Sequence, residues 1–424
     1  MPRSALWRNP DFLRLWSAQS VSEAGSQVTG LALPLAAIFV VHASTFQVAA
    51  LNVVDVLPFA LFSLPAGVWV DRLRRKPLMI TADWGRALAL GSIPVVYAFG
   101  ALTLAQLYAV GFVAGTLTVF FDVSYQSILP SLVERSELGE ANSKLETTNS
   151  GAQIAGPGIA GVLVGAITAP YAIAVDAASF VGSAIFLGLI RRVEDLPEAV
   201  AGVQRRMRTD IAEGLRYVLG QPILRAMTLF VAANNFFSIL MFSIFLVFAV
   251  RDLHLHAATI GLIISLANVG TLLGALTATR VARRFGVGPA IIVLAALSCV
   301  GNVFIPFVRG GYAIPVIVAA RVLYAYCAIA MNVNGITLYQ TVTPDRLLGR
   351  ANASRRFVVW GVIPFGGLIG GALGSSIGLR HAMLVGAIGT VFSFVPLLAS
   401  PLWRVRVAED ALEKSASVGD PVST

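Results

Sequence analysis

The sequence predicts an all-α membrane protein of twelve transmembrane helices arranged as two six-helix bundles. Three observations carry that prediction: sparse and segregated charge, twelve apolar stretches of membrane-crossing length, and an internal repeat. The 424 residues are 57% hydrophobic and only 12% charged, with a mean hydropathy of +0.79. A soluble domain typically carries roughly 25% charged residues, so a water-facing surface on a chain this long would lack the charges to cover it. The charges instead fall in short clusters between apolar runs, the pattern of a lipid-solvated chain. A net charge of +9 on a soluble domain would suggest nucleic acid as a partner. Here the basic residues flank apolar spans, so the expected partner is the lipid bilayer and no nucleic acid.

A bilayer core of ~30 Å needs ~20 residues of helix. Apolar stretches of that length lie near 15–40, 46–70, 78–99, 103–128, 147–168 and 171–190. After a polar stretch they resume near 224–250, 258–279, 289–308, 312–337, 356–375 and 379–400. The first thirty residues carry Arg3, Arg8, Asp11, Arg14 and Glu23 and no small-residue cleavage site, so they do not read as a cleaved signal. The organisation is thus an N-terminal bundle over 1–190, a cytoplasmic central loop over 191–222, a C-terminal bundle over 223–402 and a tail over 403–424 expected to be disordered. In the central loop, MRTDIAEGLRYVL puts Met207, Ile211, Leu215, Val218 and Leu219 on one helical face among arginines. Such a helix either lies on the membrane surface against anionic headgroups or is a solvated linker.

Orientation follows from the basic residues. With the N-terminus inside, 26 of the 31 Lys and Arg fall on cytoplasmic segments, only Arg251, Arg309 and Arg380 lie outside, and Arg86 and Arg321 sit within spans. Both ends are therefore expected in the cytoplasm of a multi-pass plasma-membrane protein. The repeat supports an even division. YQSILPSLVERSELGEAN, from Tyr125, recurs as YQTVTPDRLLGRAN, from Tyr339, and GVWVDRLRRK, from Gly67, pairs with ALTATRVARR, from Ala275. Two such pairs at nearly the same offset indicate duplication, and duplicated bundles place a binding site between the halves near the midplane.

These residues resemble the major facilitator superfamily. Gly67, Asp71, Arg72, Arg75 and Lys76 match its G-x-x-x-D-R-x-x-R-[RK] loop between the second and third helices. The opening NPDFLRLWSAQSVSEAG, the EGLRYVLGQPILR segment and the Tyr-Gln…Leu-Gly-Glu-Ala-Asn loop are similar to the macrolide-efflux and enterobactin-exporter-like branch. The resemblance implies a secondary transporter, export as its direction, a small-molecule substrate and a monomer. Two departures stand out: many of this branch carry Gly-Asp where this chain has Gly25-Ser26, and the second-half loop has Thr279 in place of the motif aspartate.

Ionisable groups inside a bundle are costly and usually paired or functional. Asp71 and its basic run are read as a latch across the seam between halves, against the alternative of a topology signal with a surface salt bridge. Asp83 and Arg86, one turn apart, are read with Asp122 as a structural ion pair. Glu23 and Asp55 have no basic residue at their depth and are candidate proton carriers, or else line a wet cavity or bind a cationic substrate. Arg321 is the only basic residue in the membrane interior of the second half and is a candidate for attracting an anionic group or pairing with a carboxylate. Asp176 reads as structural hydrogen bonding to neighbouring helix ends. Gly156, Pro157 and Gly161 resemble the antiporter motif, a kinked helix sealing the seam between halves, though ordinary packing is the alternative. Gln27, Asn149, Gln153, Asn234, Asn235, Asn268 and Asn332 are candidate cavity polars, or interhelical glue; Asn302 and Asn334 belong to the same class.

The three lysines, Lys76, Lys144 and Lys414, never follow glycine, so no Gly-Lys-Ser/Thr phosphate loop exists. The four histidines show no zinc-protease spacing, the one Gly-x-Ser-x-Gly match, Gly374 to Gly378, ends an apolar span instead of following a strand, and Cys299 and Cys327 read as apolar filler. An enzyme is not expected, nor a cofactor or metal; a proton gradient would supply the energy. The expected function is proton-coupled efflux of a hydrophobic or amphipathic small molecule such as a drug, macrolide or siderophore. The alternatives are a nutrient-uptake symporter and a non-transporting scaffold or receptor.

Overall fold

The computed structural model describes residues 5–70, 73–192 and 207–406, which contain helices and turns and no strand. Six long helices come first: α1 (Pro10–Phe39), α2 (Thr45–Val70), α3 (Arg75–Ala98), α4 (Leu104–Leu132), α5 (Leu138–Ile167) and α6 (Ala169–Gly188). The amphipathic α7 (Met207–Gly220) follows. Then come α8 (Pro222–Arg251), α9 (Ala257–Phe285), α10 (Val287–Phe304) and α11 (Ala313–Val342). The eleventh span is α12 (Asp345–Gly361) running into α13 (Ile363–Ser376), and the twelfth is α14 (Leu379–Phe392) with the turn α15 (Val395–Leu398). Ten of the twelve spans are apolar along a membrane-crossing window. The other two, α1 and α3, are less apolar because they carry groups that face protein: Ser22 on α1, and Asp83 and Arg86 on α3, are buried.

The helices outrun the apolar stretches at the end bearing the basic loops. α4 continues to Leu132, α5 begins at Leu138, α11 continues to Val342 and α12 begins at Asp345. Hydropathy marks where lipid surrounds a helix, whereas the backbone stays helical until a stop signal, here Pro344 ahead of α12.

Two compact units are present, one formed by α1–α6 with residues 249–265, the other by α7, the remainder of α8 and α9, and α10–α15. In the first, α1 packs on α5 and α6, α2 on α4, and α3 on α4 and α6, around Phe12, Leu15, Met79, Phe121 and Leu187. The start of α1 explains the NPDFLR opening. Asn9 accepts from the Asp11 and Phe12 N–H groups at 3.1 Å each and donates to the Leu132 carbonyl at 2.8 Å. Pro10 occupies the first helical position, where its missing N–H is not needed. The Asp11 carboxylate accepts from the Arg191 and Arg192 N–H groups at 3.0 and 3.1 Å, which ties the chain after α6 to the start of α1.

In the second unit α10 packs on α11 and α13 on α14, around Phe230, Ile291, Ile292, Leu338 and Leu402. The central helix α7 docks on α12, which neither a membrane-surface helix nor a solvated linker anticipates. Gly214 lets the backbones meet: a Cβ there would stand 2.4 Å from the Arg350 carbonyl oxygen. Glu213 pairs with Arg350, Tyr217 donates to the Val342 carbonyl at 3.1 Å, and Val218 is buried while Leu219 is exposed. The side chains of Met207 and Ile211 lie outside the described residues. The tail also differs from expectation up to Arg406. The Arg406 and Val405 carbonyls accept from the Val287 and Gly288 N–H groups at 3.1 and 2.9 Å, supplying acceptors that the first turn of α10 lacks within itself. Residues 407–424 lie outside the described range.

The duplication is visible in the turns at the opposite end. His42 after α1 and His254 after α8 both adopt positive φ, 54° and 53°. Thr168 before α6 and Gly378 before α14 share another unusual conformation, φ 71° and 86° with ψ 158° and 156°.

Candidate functional site

The first unit gathers its charges around Arg86. The guanidinium bonds Asp83 one turn earlier on α3 and donates to the Thr118 hydroxyl at 3.3 Å. Its two faces lie against the rings of Phe121 and Phe180, at 4.3 and 4.1 Å. Ion pairing and cation–π contact together compensate a cation that lipid would not tolerate, although Arg86 Nε is buried without an acceptor among the described residues. Asp122, expected in the same pair, makes no direct salt bridge with Arg86 among the described residues but interacts with its charge at longer range; its neighbour Phe121 lies against the guanidinium. Asp176 is buried, and its carbonyl and carboxylate accept from Ser179 Oγ at 2.8 and 3.0 Å. This bonding is structural but runs to a residue one turn along the same helix, not to the neighbouring helix ends expected, and it sits where Gly25 lets α1 touch α6. A Cβ on Gly25 would fall 2.1 Å from Ser179 Oγ and 2.5 Å from Asp176 Oδ1.

Glu23 lies half-buried two residues before Gly25. It accepts a hydrogen bond from Gln27 Nε2 at 2.9 Å. Gln27 is pressed in turn against Gly156, where an added Cβ would stand 2.4 Å from Gln27 Cβ. The antiporter-like helix is therefore seated directly on a candidate proton carrier's partner. Further along α5, a Cβ at Gly161 would lie 2.4 Å from the Ala257 carbonyl oxygen, and the Gly158 N–H donates to Ser265 Oγ at 2.8 Å. Pro157 occupies the interior of α5 between these contacts.

Asp55 differs from the expected buried carboxyl. Its backbone carbonyl backs onto α4 at Gly115, where a Cβ would come within 2.5 Å, but its side chain is exposed. It forms no hydrogen bond or ion pair among the described residues. In the loop motif, Asp71 and Arg72 lie outside the described residues, and Gly67 has no neighbour within 4 Å of an added Cβ. Lys76 donates to the Gly188 and Ile190 carbonyls at 3.1 and 2.6 Å, capping the end of α6 within its own unit. Arg75 Nε is buried without an acceptor among the described residues. At the same end, an open cleft of about 550 Å³ is lined by Gln19, Tyr125, Gln126, Asn142, Glu146 and Asn149, among others. Asn149 accepts from Gln153 Nε2 at 3.0 Å, and Gln153 is exposed.

The second unit is quieter. Asn235 donates to the Val359 carbonyl at 3.2 Å, and Asn334 to the Ala278 and Ala330 carbonyls at 3.0 and 2.9 Å, so both join helices. Asn234 is buried beside Cys299, Asn268 is half-buried on α9, and Asn332 is exposed on α11. Asn302 is buried with neither amide atom bonded. Arg321 stacks over Phe242 at 3.9 Å, with Phe245 at 5.4 Å, and its Nε and Nη1 are buried without an acceptor. The sequence reading passed over the aromatic partners of both arginines. Phe180 and Phe242 lie on other helices, and no local signal in the sequence pairs them with Arg86 or Arg321.

Twelve helical spans, buried charge inside them and a glycine-rich helix with an internal proline define a polytopic membrane transporter. A profile of the transmembrane secretion effector family matches residues 3–422, and the chain belongs to that family of major facilitator transporters. It is 25% identical over 411 residues to the multidrug efflux pump Tap of Mycolicibacterium fortuitum, covering 92% of this chain and 97% of that one. It is 25% identical over 365 residues to the enterobactin exporter EntS of Salmonella typhimurium, covering 82% of each. To macrolide efflux protein A of Streptococcus pyogenes it is 26% identical over 207 residues, 48% of this chain and 50% of that one. In fold it is similar to a bacterial homologue of the iron transporter ferroportin, at a TM-score of 0.75 and 16% identity over 93% of this chain and 99% of that one.

Proposed function

We propose that this transporter exports a hydrophobic or amphipathic small molecule across the cytoplasmic membrane by alternating access, driven by inward proton flow. The basic-loop end, with both chain ends, faces the cytoplasm, as the positive-inside bias requires. The names of the relatives, which are efflux and export proteins, support the outward direction. The observation that carries proton coupling is the pair of carboxyls in otherwise apolar helices: Asp55, bonded to no described residue, and Glu23, held only by the neutral Gln27 amide. Neither is tied up in an ion pair, so each is free to take up and release a proton as the site changes face. Asp83 and Asp176 are committed to Arg86 and Ser179.

The test is dye uptake into everted vesicles under an imposed pH gradient. Asp55→Asn or Glu23→Gln should lower gradient-driven uptake at least tenfold while leaving exchange of labelled for unlabelled dye intact. Uptake that collapses with the gradient in wild type but is untouched by both substitutions would reject these two carriers. Uptake indifferent to the gradient would reject proton coupling.

A further inference from the structure

Each unit buries one guanidinium inside its membrane-spanning helices, and the two are finished differently. Arg86 has rings on both faces and a carboxylate, Asp83, in reach of its N–H edge. Arg321 has the rings, Phe242 at 3.9 Å and Phe245 at 5.4 Å, but no carboxylate. The positions one turn away on α11 are Ile317, Val318, Tyr324 and Ala325. Tyr324 stands edge-on to Phe242 at 5.4 Å and completes an aromatic wall. A guanidinium donates only in its own plane. Ring contact therefore satisfies none of its N–H donors, and here Nε and Nη1 are buried without an acceptor among the described residues. A buried cation with unmet donors is expensive in a bilayer and marks a functional site by default.

Arg321, Phe242 and Tyr324 each keep part of their surface accessible, whereas Phe245 is buried; with Nε and Nη1 shielded, the approach is to the Nη2 end of the guanidinium. Arg321 is eight residues past Ala313, the first residue of α11. That is about 12 Å along a helix rising 1.5 Å per residue, well below the headgroups bounding a ~30 Å core. We propose that Arg321, flanked by Phe242 and Tyr324, binds an oxyanion (carboxylate, sulfonate or phenolate) carried on a planar apolar body in the transported molecule. The oxyanion meets the N–H edge, where charge-assisted bonds are strongest, and the planar body lies along the aromatic wall. This rests on the export reading and narrows its substrates to anionic amphiphiles.

Two xanthene dyes with one ring system and opposite charge separate the possibilities: carboxyfluorescein, anionic, and rhodamine 6G, cationic. Binding to the purified full-length protein in a neutral maltoside detergent is read by fluorescence polarisation. Wild type should bind carboxyfluorescein the more tightly. Arg321→Gln should weaken that binding at least tenfold, Arg321→Lys should fall between, and rhodamine 6G should be unaffected. Val318→Asp, which recreates the spacing of Asp83 to Arg86, should fill the site from within and weaken carboxyfluorescein as much as Arg321→Gln does. It also serves if Arg321→Gln fails to elute as a monodisperse species. Equal binding of the two dyes by wild type, or equal responses of the two dyes to the variants, overturns the proposal. Displacement of the anionic dye by phosphatidylglycerol, dependent on Arg321, would assign the site to a lipid headgroup and overturn it as well. The export reading is judged separately in everted vesicles. Anion-selective binding with no uptake of either dye would sink export and keep the site. Rhodamine uptake indifferent to Arg321→Gln, without anion-selective binding, would do the reverse.

Discussion

Replacing Gly156 by alanine probes the contact that links the proline-containing helix α5 to Glu23. The new methyl would stand 2.4 Å from Gln27 Cβ and 2.6 Å from Gln27 Cγ, where carbon atoms normally rest ~3.5–4.0 Å apart. More than 1 Å must be made up by shifting α5 from α1 or by rotating Gln27. Overpacking of this kind costs about 1–3 kcal/mol. Rotation also breaks the 2.9 Å bond from Gln27 to Glu23, so the Glu23 carboxyl loses its only described hydrogen bond. Thermal unfolding of the detergent-purified protein, followed by size-exclusion fluorescence, should show a clear loss of stability in Gly156→Ala. The pH midpoint of gradient-driven dye uptake should differ from wild type. Gly151→Ala is the control, because nothing lies within 4 Å of a Cβ there. Gln27→Gly in the Gly156→Ala background should recover stability but not the pH midpoint, since the clash is gone and the amide with it. Wild-type stability and pH midpoint in Gly156→Ala would refute this account of α5, as would equal damage from Gly151→Ala.

Three further outcomes are expected. Thr168 holds a backbone conformation, φ 71° with ψ 158°, that is essentially glycine's, and its counterpart Gly378 is a glycine; Thr168→Gly should therefore raise thermal stability, by about 1–3 kcal/mol of relieved strain. Asp83→Asn leaves Arg86 buried without a charge partner and should destabilise by about 3–5 kcal/mol, lowering the yield of monodisperse protein, whereas Asp83→Asn with Arg86→Met should regain much of it. Asp11, at the loop end of α1 ahead of the apolar span, is raised by burial, but the Arg191 N–H, the Arg14 guanidinium and the Arg192 N–H outweigh this and hold it below its ordinary 3.8. Its stabilisation is thus present above about pH 3.8 and lost as pH falls through the lower folded value; the stability gap between wild type and Asp11→Asn, measured by thermal unfolding, should narrow across that acid range.

The span count, the two-bundle division and the family were legible in the sequence because lipid solvation acts on composition over stretches of ~20 residues. Duplication then leaves paired motifs that local reading can detect. Capping was legible too: Asn9-Pro10 announces the start of α1 by a rule that needs only neighbours. Side-chain partnerships were not. Asp83 and Arg86 were paired correctly because one helical turn joins them, whereas Asp122, on another helix, interacts with the Arg86 charge without a direct salt bridge among the described residues. Asp55 was read as buried from its depth along α2, yet which face of a helix meets protein depends on packing, and its side chain is exposed. The docking of α7 on α12 is a contact between helices more than a hundred residues apart that the amphipathic pattern alone left open.

By itself, then, the sequence determined that the chain crosses the membrane twelve times and carries a handful of charges it must hide. What only the tertiary structure decided is how each charge is hidden. Arg86 is paired with the Asp83 carboxylate between Phe121 and Phe180, while Arg321 is sheltered by Phe242 with no carboxylate among the described residues and two buried donors unmet. Both arginines look alike in a hydropathy profile. They differ because burial in a bundle is a property of several helices at once, and a guanidinium's fate rests on which residues those helices bring to its faces and which to its edge.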